Sequence, residues 1–204
     1  SNYSPGEILT ELETQFGMAQ WEQRLDPVSE LVFTILSQHT SDINAERAGR
    51  LLKKRFLNWE RVVTAPVIEI ENTIRSAGLA KQKAPRIQMA LAKILDLEGS
   101  LDLEFLQELP LETAKAWLRN LPGVGPKTAA IVLCFALGMP AMAVDTHVYR
   151  VARRLGLIHN RTTIEKAHPI LEAMVKPEEI YRFHVALISH GRKTCKALRP
   201  MCNQ

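Results

Sequence analysis

The apolar residues of this 204-residue chain recur three and four apart almost from end to end. No segment alternates with period two for long enough to make a convincing strand. That periodicity predicts an all-α protein of about ten helices. Local signals place many of the starts. Ser4-Pro-Gly-Glu7 is a capping box with proline at the first helical position, opening a helix to about Phe16. Asp26-Pro27 opens a second in the same way, and Ser41 can cap a third from Asp42 to about Phe56. Further helices are expected over Ala65–Ser76, ended by Gly78, and over Ala80–Leu95, where Pro85 strains the first turns. Leu111–Leu118, Pro126 to Gly138, Asp145 to Leu155, Thr163–Val175 and Pro177–Ser189 complete the set.

Composition sets bounds on what those helices serve. A content of 46% hydrophobic and 24% charged residues is ordinary for a globular protein with a proper core. The apolar stretch Thr128–Val144 is interrupted by Gly138 and Pro140, so it reads as a buried helix and its exit rather than a membrane span. Glu7, Glu11 and Glu13 make the N-terminal region acidic where an export signal is basic, so an intracellular chain (cytoplasm or nucleoid) and a monomer are expected. Ser1-Asn2 carries no weight in this reading. The net charge of +4 leans weakly toward a polyanionic partner. Cys134 lies in the apolar helix and is expected in the core. Without an export signal, a disulfide between Cys195 and Cys202 is not expected.

The informative unit is Leu111–Leu137, a helix, then Leu121-Pro-Gly-Val-Gly125, then a second helix. Gly123 and Gly125 around Val124 let the backbone turn sharply and leave amides uncovered at a helix N-terminus. The dipole and free N–H groups there suit a phosphate held without regard to base sequence. A nucleotide-binding P-loop is excluded. Lys127 does not follow a glycine, Pro126 removes an amide that the cradle needs, and no strand precedes it.

This hairpin resembles the helix-hairpin-helix motif of DNA-binding proteins. By itself it supports a DNA clamp or a plain structural turn as well as an enzyme. Lys127 together with Asp145, 18 residues on in Val144-Asp-Thr-His-Val-Tyr-Arg150, looks like the signature of the endonuclease III family of DNA glycosylases. The resemblance runs from about Pro27 to Cys202. It implies a two-lobed helix-hairpin-helix glycosylase fold with the active-site cleft between the lobes. One lobe would cover residues 22–136, the other residues 1–21 plus 137–204. It also implies a base-excision DNA glycosylase with AP lyase activity, acting on double-stranded DNA that carries damaged bases, typically oxidised pyrimidines, or abasic sites. Lys127 would be the nucleophile and Asp145 its assistant. A monofunctional glycosylase, which lacks the lysine, and a non-catalytic DNA-binding domain are the alternatives.

The residue types agree with those roles. A lysine in the first turn of a helix is opposed by the dipole, and partial burial would further favour the free amine that attacks. A carboxylate nearby pulls the other way. Asp145 also suits the cap of its own helix.

The resemblance extends to the surroundings. Gln38-His39-Thr40 is similar to the family's loop that fills the gap left by a flipped base, with either Gln38 or His39 filling it. Leu121, Gly123, Val124 and Gly125 would hold the DNA backbone, as would Arg150 and Arg154, which are four apart on one helix face. His147 is open between substrate contact and packing. Cys195 and Cys202 match the first spacing of the family's C-x6-C-x2-C-x5-C iron–sulfur loop, and the third cysteine would fall at position 205. A [4Fe–4S] cluster is therefore expected, although four thiolates are needed and residues 195–204 supply two. Arg192, Lys193, Lys196 and Arg199 give that loop a basic surface.

Overall fold

The structure, a computed structural model, describes residues 3–203. Ser1, Asn2 and Gln204, which the expected second lobe includes, lie outside the described residues. Eleven α-helices are present and no strand occurs among the described residues. They are α1 (Pro5–Phe16), α2 (Pro27–Ser37), α3 (Asp42–Phe56), α4 (Trp59–Thr64), α5 (Val67–Thr73) and α6 (Ala80–Glu98). After them come α7 (Leu111–Arg119), α8 (Pro126–Ile131), α9 (Thr146–Arg154), α10 (Ile164–Met174) and α11 (Ile180–Lys193). No described helix is long and apolar enough to cross a membrane.

The predicted caps are formed. Ser4 and Glu7 bond each other's backbone amides reciprocally, and Asp26 and Ser41 each accept from the third residue onward. Thr163, expected as the first residue of its helix, caps α10 instead. The expected helix over Ala65–Ser76 is instead two pieces, α5 and a 3-10 turn at Arg75–Ala77. α4, which the apolar pattern does not reveal, precedes them. Its start is capped by Asn58, and its last carbonyls lie within hydrogen-bond distance of Gln88 Nε2 in α6, at 2.7 to 3.1 Å. Six residues are too few for a periodicity to declare itself. The expected helix over Pro177–Ser189 starts as a 3-10 turn, Pro177–Glu179, before α11. α6 keeps Pro85 within it and runs on to Glu98.

The described chain forms two compact units. Arg24–Leu137 packs around α2, which is buried at nine of its eleven positions and touches α3, α6 and α8. A helix apolar on nearly every side belongs at a centre rather than at a surface. The other unit joins the segment up to Gln23 to everything from Gly138. There α11 packs on α9 and α1. Arg182 of α11 grips Glu13 of α1 with two parallel bonds, at 2.7 and 2.5 Å. Such a fork holds its geometry better than a single contact does.

One acid in α2 sits badly. Glu30 is 6% exposed and its Oε2 has no partner among the described residues. Burial raises its carboxyl above the ordinary glutamate value, Arg24 draws it back and Asp26 adds to the rise. The folded state thus holds this proton more tightly than the unfolded chain. The associated stability is complete below the unfolded glutamate value and is lost as pH rises through the folded one. Glu30→Gln, which cannot ionise, should therefore gain on the wild type as pH rises from about 4 to about 8. Urea midpoints across that range would read it. A difference that stays constant with pH would rule out a buried charge as the cause.

Candidate active site

The hairpin forms as its glycines require. α7 ends at Arg119, and the amides of Leu121 and Val124 donate back to the carbonyls of Leu118 and Leu121 at 3.0 and 3.2 Å. Leu121 and Val124 are buried and anchor the turn, while Gly123 is exposed with φ +77°. That left-handed backbone favours glycine. A Cβ there would also stand 3.3 Å from Arg86 Cδ, so the turn is closed over by the arginine stem. Gly125 precedes α8 in extended backbone and no side chain caps the helix. The free amides of its first turn therefore remain available.

Lys127 is the second residue of α8. It is exposed rather than partly buried, because Thr128, Ala129 and Ala130 take the inward positions. The amine is thus presented to solvent from the rim of the hairpin. α8 lasts six residues and continues as a single π-helical stretch, Val132–Ala136, which the sequence pattern presented as one uninterrupted helix. A π turn of this kind is uncommon and is found frequently near functional sites. Cys134 within it is 2% exposed and lies in the core as expected.

Asp145 begins α9. Its Oδ1 accepts from Val148 N at 2.7 Å, so the carboxylate caps the helix, and the residue stays half-buried. What brings the chain to this point is not visible in any local signal. Ala141–Val144 is buried yet outside any helix, so its backbone polar groups need other partners. They receive them from side chains. Glu172 Oε2 accepts from Met142 N at 2.9 Å, His168 Nδ1 donates to Met142 O at 2.9 Å, and His184 Nδ1 donates to Ala143 O at 2.8 Å. These three residues, from α10 and α11, brace the strut that positions Asp145. Sequence reasoning missed all three. Two histidines on the buried faces of their helices were the available clue.

Arg150 and Arg154 share a face of α9, and their guanidinium groups reach the end of α11 and the segment after it. Arg150 Nε donates to Cys195 O at 3.0 Å and its Nη2 to Gly191 O at 2.7 Å. Arg154 Nη1 donates to Lys196 O at 2.7 Å and to Cys195 Sγ at 3.3 Å, and its Nη2 to Ala197 O at 3.1 Å. Both arginines thus clamp the chain after α11. His147 packs where α9 crosses α11, against Gly191, with its Nδ1 3.1 Å from Arg150 Nη2. A Cβ on Gly191 would stand 3.0 Å from that of His147, so a larger residue there would require the two helices to give by a few tenths of an ångström.

No disulfide joins Cys195 and Cys202. Cys195 is half-buried and Cys202 exposed, and Met201 N donates to Thr194 O at 3.0 Å. That bond folds the segment back so that the residues beside the two cysteines meet. Among the described residues no set of three or more Cys, His, Asp or Glu could hold a metal ion. Arg192 and Lys193 at the end of α11 and Lys196 and Arg199 on the segment after it are all exposed.

Between α2 and α3, Gln38 and Thr40 are half-buried and His39 is exposed with φ +54°. Sequence reasoning also passed over Lys83, which is 1% exposed inside α6. The signal was there. Lys83, Ile87, Leu91 and Ile94 fall on one stripe, and a lysine in an apolar stripe demands a reason.

Taken together, these are the features of a helix-hairpin-helix protein with a solvent-facing lysine on the hairpin. Residues 32–177 match the family described as HhH-GPD superfamily base excision DNA repair protein. Endonuclease III of Thermotoga maritima is 33% identical over 180 residues, spanning 88% of this chain and 79% of that protein. Endonuclease III of Bacillus subtilis is 34% identical, spanning 87% and 77%. A relative from Arabidopsis thaliana is 37% identical over 81% of this chain, which spans 57% of that relative's length. A solved structure of a trapped endonuclease III–DNA covalent intermediate superimposes with a TM-score of 0.83 at 31% identity, covering 99% of this chain and 92% of that one. The chain belongs to the HhH-GPD superfamily of base excision DNA repair proteins.

Proposed function

We propose that the protein is a base-excision DNA glycosylase with AP lyase activity, acting inside the cell on double-stranded DNA with damaged pyrimidines or abasic sites. The observation that carries this reading is Lys127, an exposed amine on the second residue of an uncapped hairpin helix. An endonuclease III of the same fold has been trapped as a covalent intermediate with DNA, which supports a covalent route.

The reaction begins with the damaged nucleotide turned out of the duplex, since its C1′ is not accessible in the stack. The Leu121–Gly125 turn holds the backbone phosphate, with Leu121 and Val124 anchoring it and the Gly123 and Gly125 amides facing the phosphate, and the Gln38–Thr40 turn enters the duplex so that Gln38 or His39 fills the vacated space. The Lys127 nitrogen forms a bond to C1′ as the bond from C1′ to the base breaks and the base leaves with a proton. The sugar ring opens and the lysine nitrogen becomes a Schiff base. Loss of a proton from C2′ then expels the 3′ phosphate and cuts the strand. Asp145 stabilises the cationic sugar through its charge or relays a proton. Arg150 and Arg154 serve the same end indirectly, by shaping the basic loop that meets the backbone.

Cys195 and Cys202 fit the first two ligands of a [4Fe–4S] cluster, with two further thiolates required. Their neighbours already meet through the Met201–Thr194 bond, and an arginine already donates to one of the sulfurs. A bound cluster would stiffen the loop, and no step of the reaction runs through it.

Borohydride trapping on a duplex carrying an oxidised pyrimidine or an abasic site tests the proposal. A stable protein–DNA adduct and a strand cut are expected. Base release without a cut would favour a monofunctional glycosylase, and binding without either product a non-catalytic domain.

A further inference from the structure

Lys83 is a buried charged group that the proposed reaction leaves unused. It sits on the inner stripe of α6 with Ile87, Ala90, Leu91 and Ile94, at 1% exposure. Burying an ammonium is costly unless its protons find acceptors. Here they find two. Nζ donates to Leu36 O at 2.6 Å and to Ala77 O at 2.8 Å. Both partners are backbone carbonyls rather than carboxylates, and burial holds the amine below the ordinary lysine value.

The position of those carbonyls matters more than their number. Leu36 O lies at the C-terminal end of α2, where the helix leaves carbonyls unpaired and its dipole favours a cation. Two residues later comes Gln38-His39-Thr40. Ala77 O ends the 3-10 turn that leads directly into Gly78-Leu79. Each of these turns carries a non-glycine residue in left-handed backbone, His39 at φ +54° and Leu79 at φ +50°. Both of those side chains are exposed, Leu79 to 48%. Such backbone persists only where the surroundings over-determine it. One ammonium therefore ties together the bases of two constrained turns that present their tips to solvent.

We propose that Lys83 is a positioning residue: it holds the Gln38–Thr40 turn and the Gly78–Leu79 turn at a fixed separation, so that both meet the duplex already shaped. This rests on the reading of Gln38–Thr40 as the segment that enters DNA. No proton or electron passes through Lys83. Its contribution is pre-organisation, since a displacement of about 1 Å at a group that must fill a gap can cost on the order of a hundredfold in rate.

The test compares two substrates. A duplex with an oxidised pyrimidine needs the turn to fill the gap behind the flipped base, whereas an abasic site in a single strand leaves no gap to fill. Lys83→Met keeps the length and apolar stem of the side chain and removes the donors. The expected result is a loss of roughly tenfold to a hundredfold in kcat/KM on the duplex, with adduct formation on the single strand within about twofold of wild type. A purely structural lysine would lower both together, alongside the melting temperature. Equal losses on the two substrates, or no loss on either, would overturn the inference. Should Lys83→Met fail to fold, Lys83→Arg keeps the charge and alters the reach of the donors, and the same divergence between substrates is expected. A wild-type protein that forms no adduct on either substrate would instead sink the enzymatic reading, and this inference with it.

Discussion

Lys127→Gln should abolish the borohydride-trapped adduct and reduce strand cleavage at least about a thousandfold, while leaving the fold and duplex binding nearly intact. The size follows from the role. An amide nitrogen has no lone pair free to attack C1′, and the other lysine of the helix-hairpin-helix unit, Lys115, stands on α7 with its amine donating to Glu112 Oε1 at 2.7 Å. The selectivity follows from the geometry. Lys127 is exposed on a short helix whose inward positions belong to Thr128, Ala129 and Ala130, so its truncation opens no cavity. Surface changes of this sort typically alter stability by less than about 0.5 kcal/mol. Thermal melting, filter binding to an abasic duplex and trapping would separate the three quantities. An adduct of undiminished yield would place the nucleophile elsewhere. Retained base release with no strand cut would show instead that water can act when the amine is gone.

Asp145→Asn should cost roughly a hundredfold to ten-thousandfold in base excision with almost no loss of stability. This residue does two things, and asparagine preserves one of them. The cap on α9 uses Oδ1 as an acceptor for Val148 N, and an amide oxygen fills that place as well as a carboxylate does. What disappears is the negative charge available to a cationic sugar. Asp145→Ala removes both, so it should add a stability loss of about 1 kcal/mol to the catalytic defect. The comparison isolates chemistry from capping. Full activity in Asp145→Asn would reduce the aspartate to a cap and leave the charge without a role.

Those two variants reflect what the sequence by itself determined. Caps are settled within three or four residues, so Ser4, Asp26, Ser41 and Asp145 open their helices where the chain alone says they should. The hairpin is equally local, because its tight turn calls for a left-handed residue and Gly123 adopts that backbone without steric cost. Lys127 and Asp145 were legible because each sits at such a locally determined start. Short elements escaped for the same reason in reverse. α4 and the break after α5 depend on Gln88 and on packing, not on periodicity.

Only the tertiary structure decided how the groups around these starts are employed. Burial of Thr128 to Ala130 is what leaves Lys127 in solvent. Asp145 stands at the end of a strut braced by His168, Glu172 and His184, from 26 to 41 residues away along the chain. Arg150 and Arg154 share a helix face by spacing alone, whereas the carbonyls they reach lie 41 to 43 and 45 residues away. Lys83 finds Leu36 O at a separation of 47. A hydrogen bond between distant segments has no signature in the spacing of either one. It exists because a buried donor or acceptor must be satisfied by whatever the fold brings to it, and that is decided only when the chain has packed.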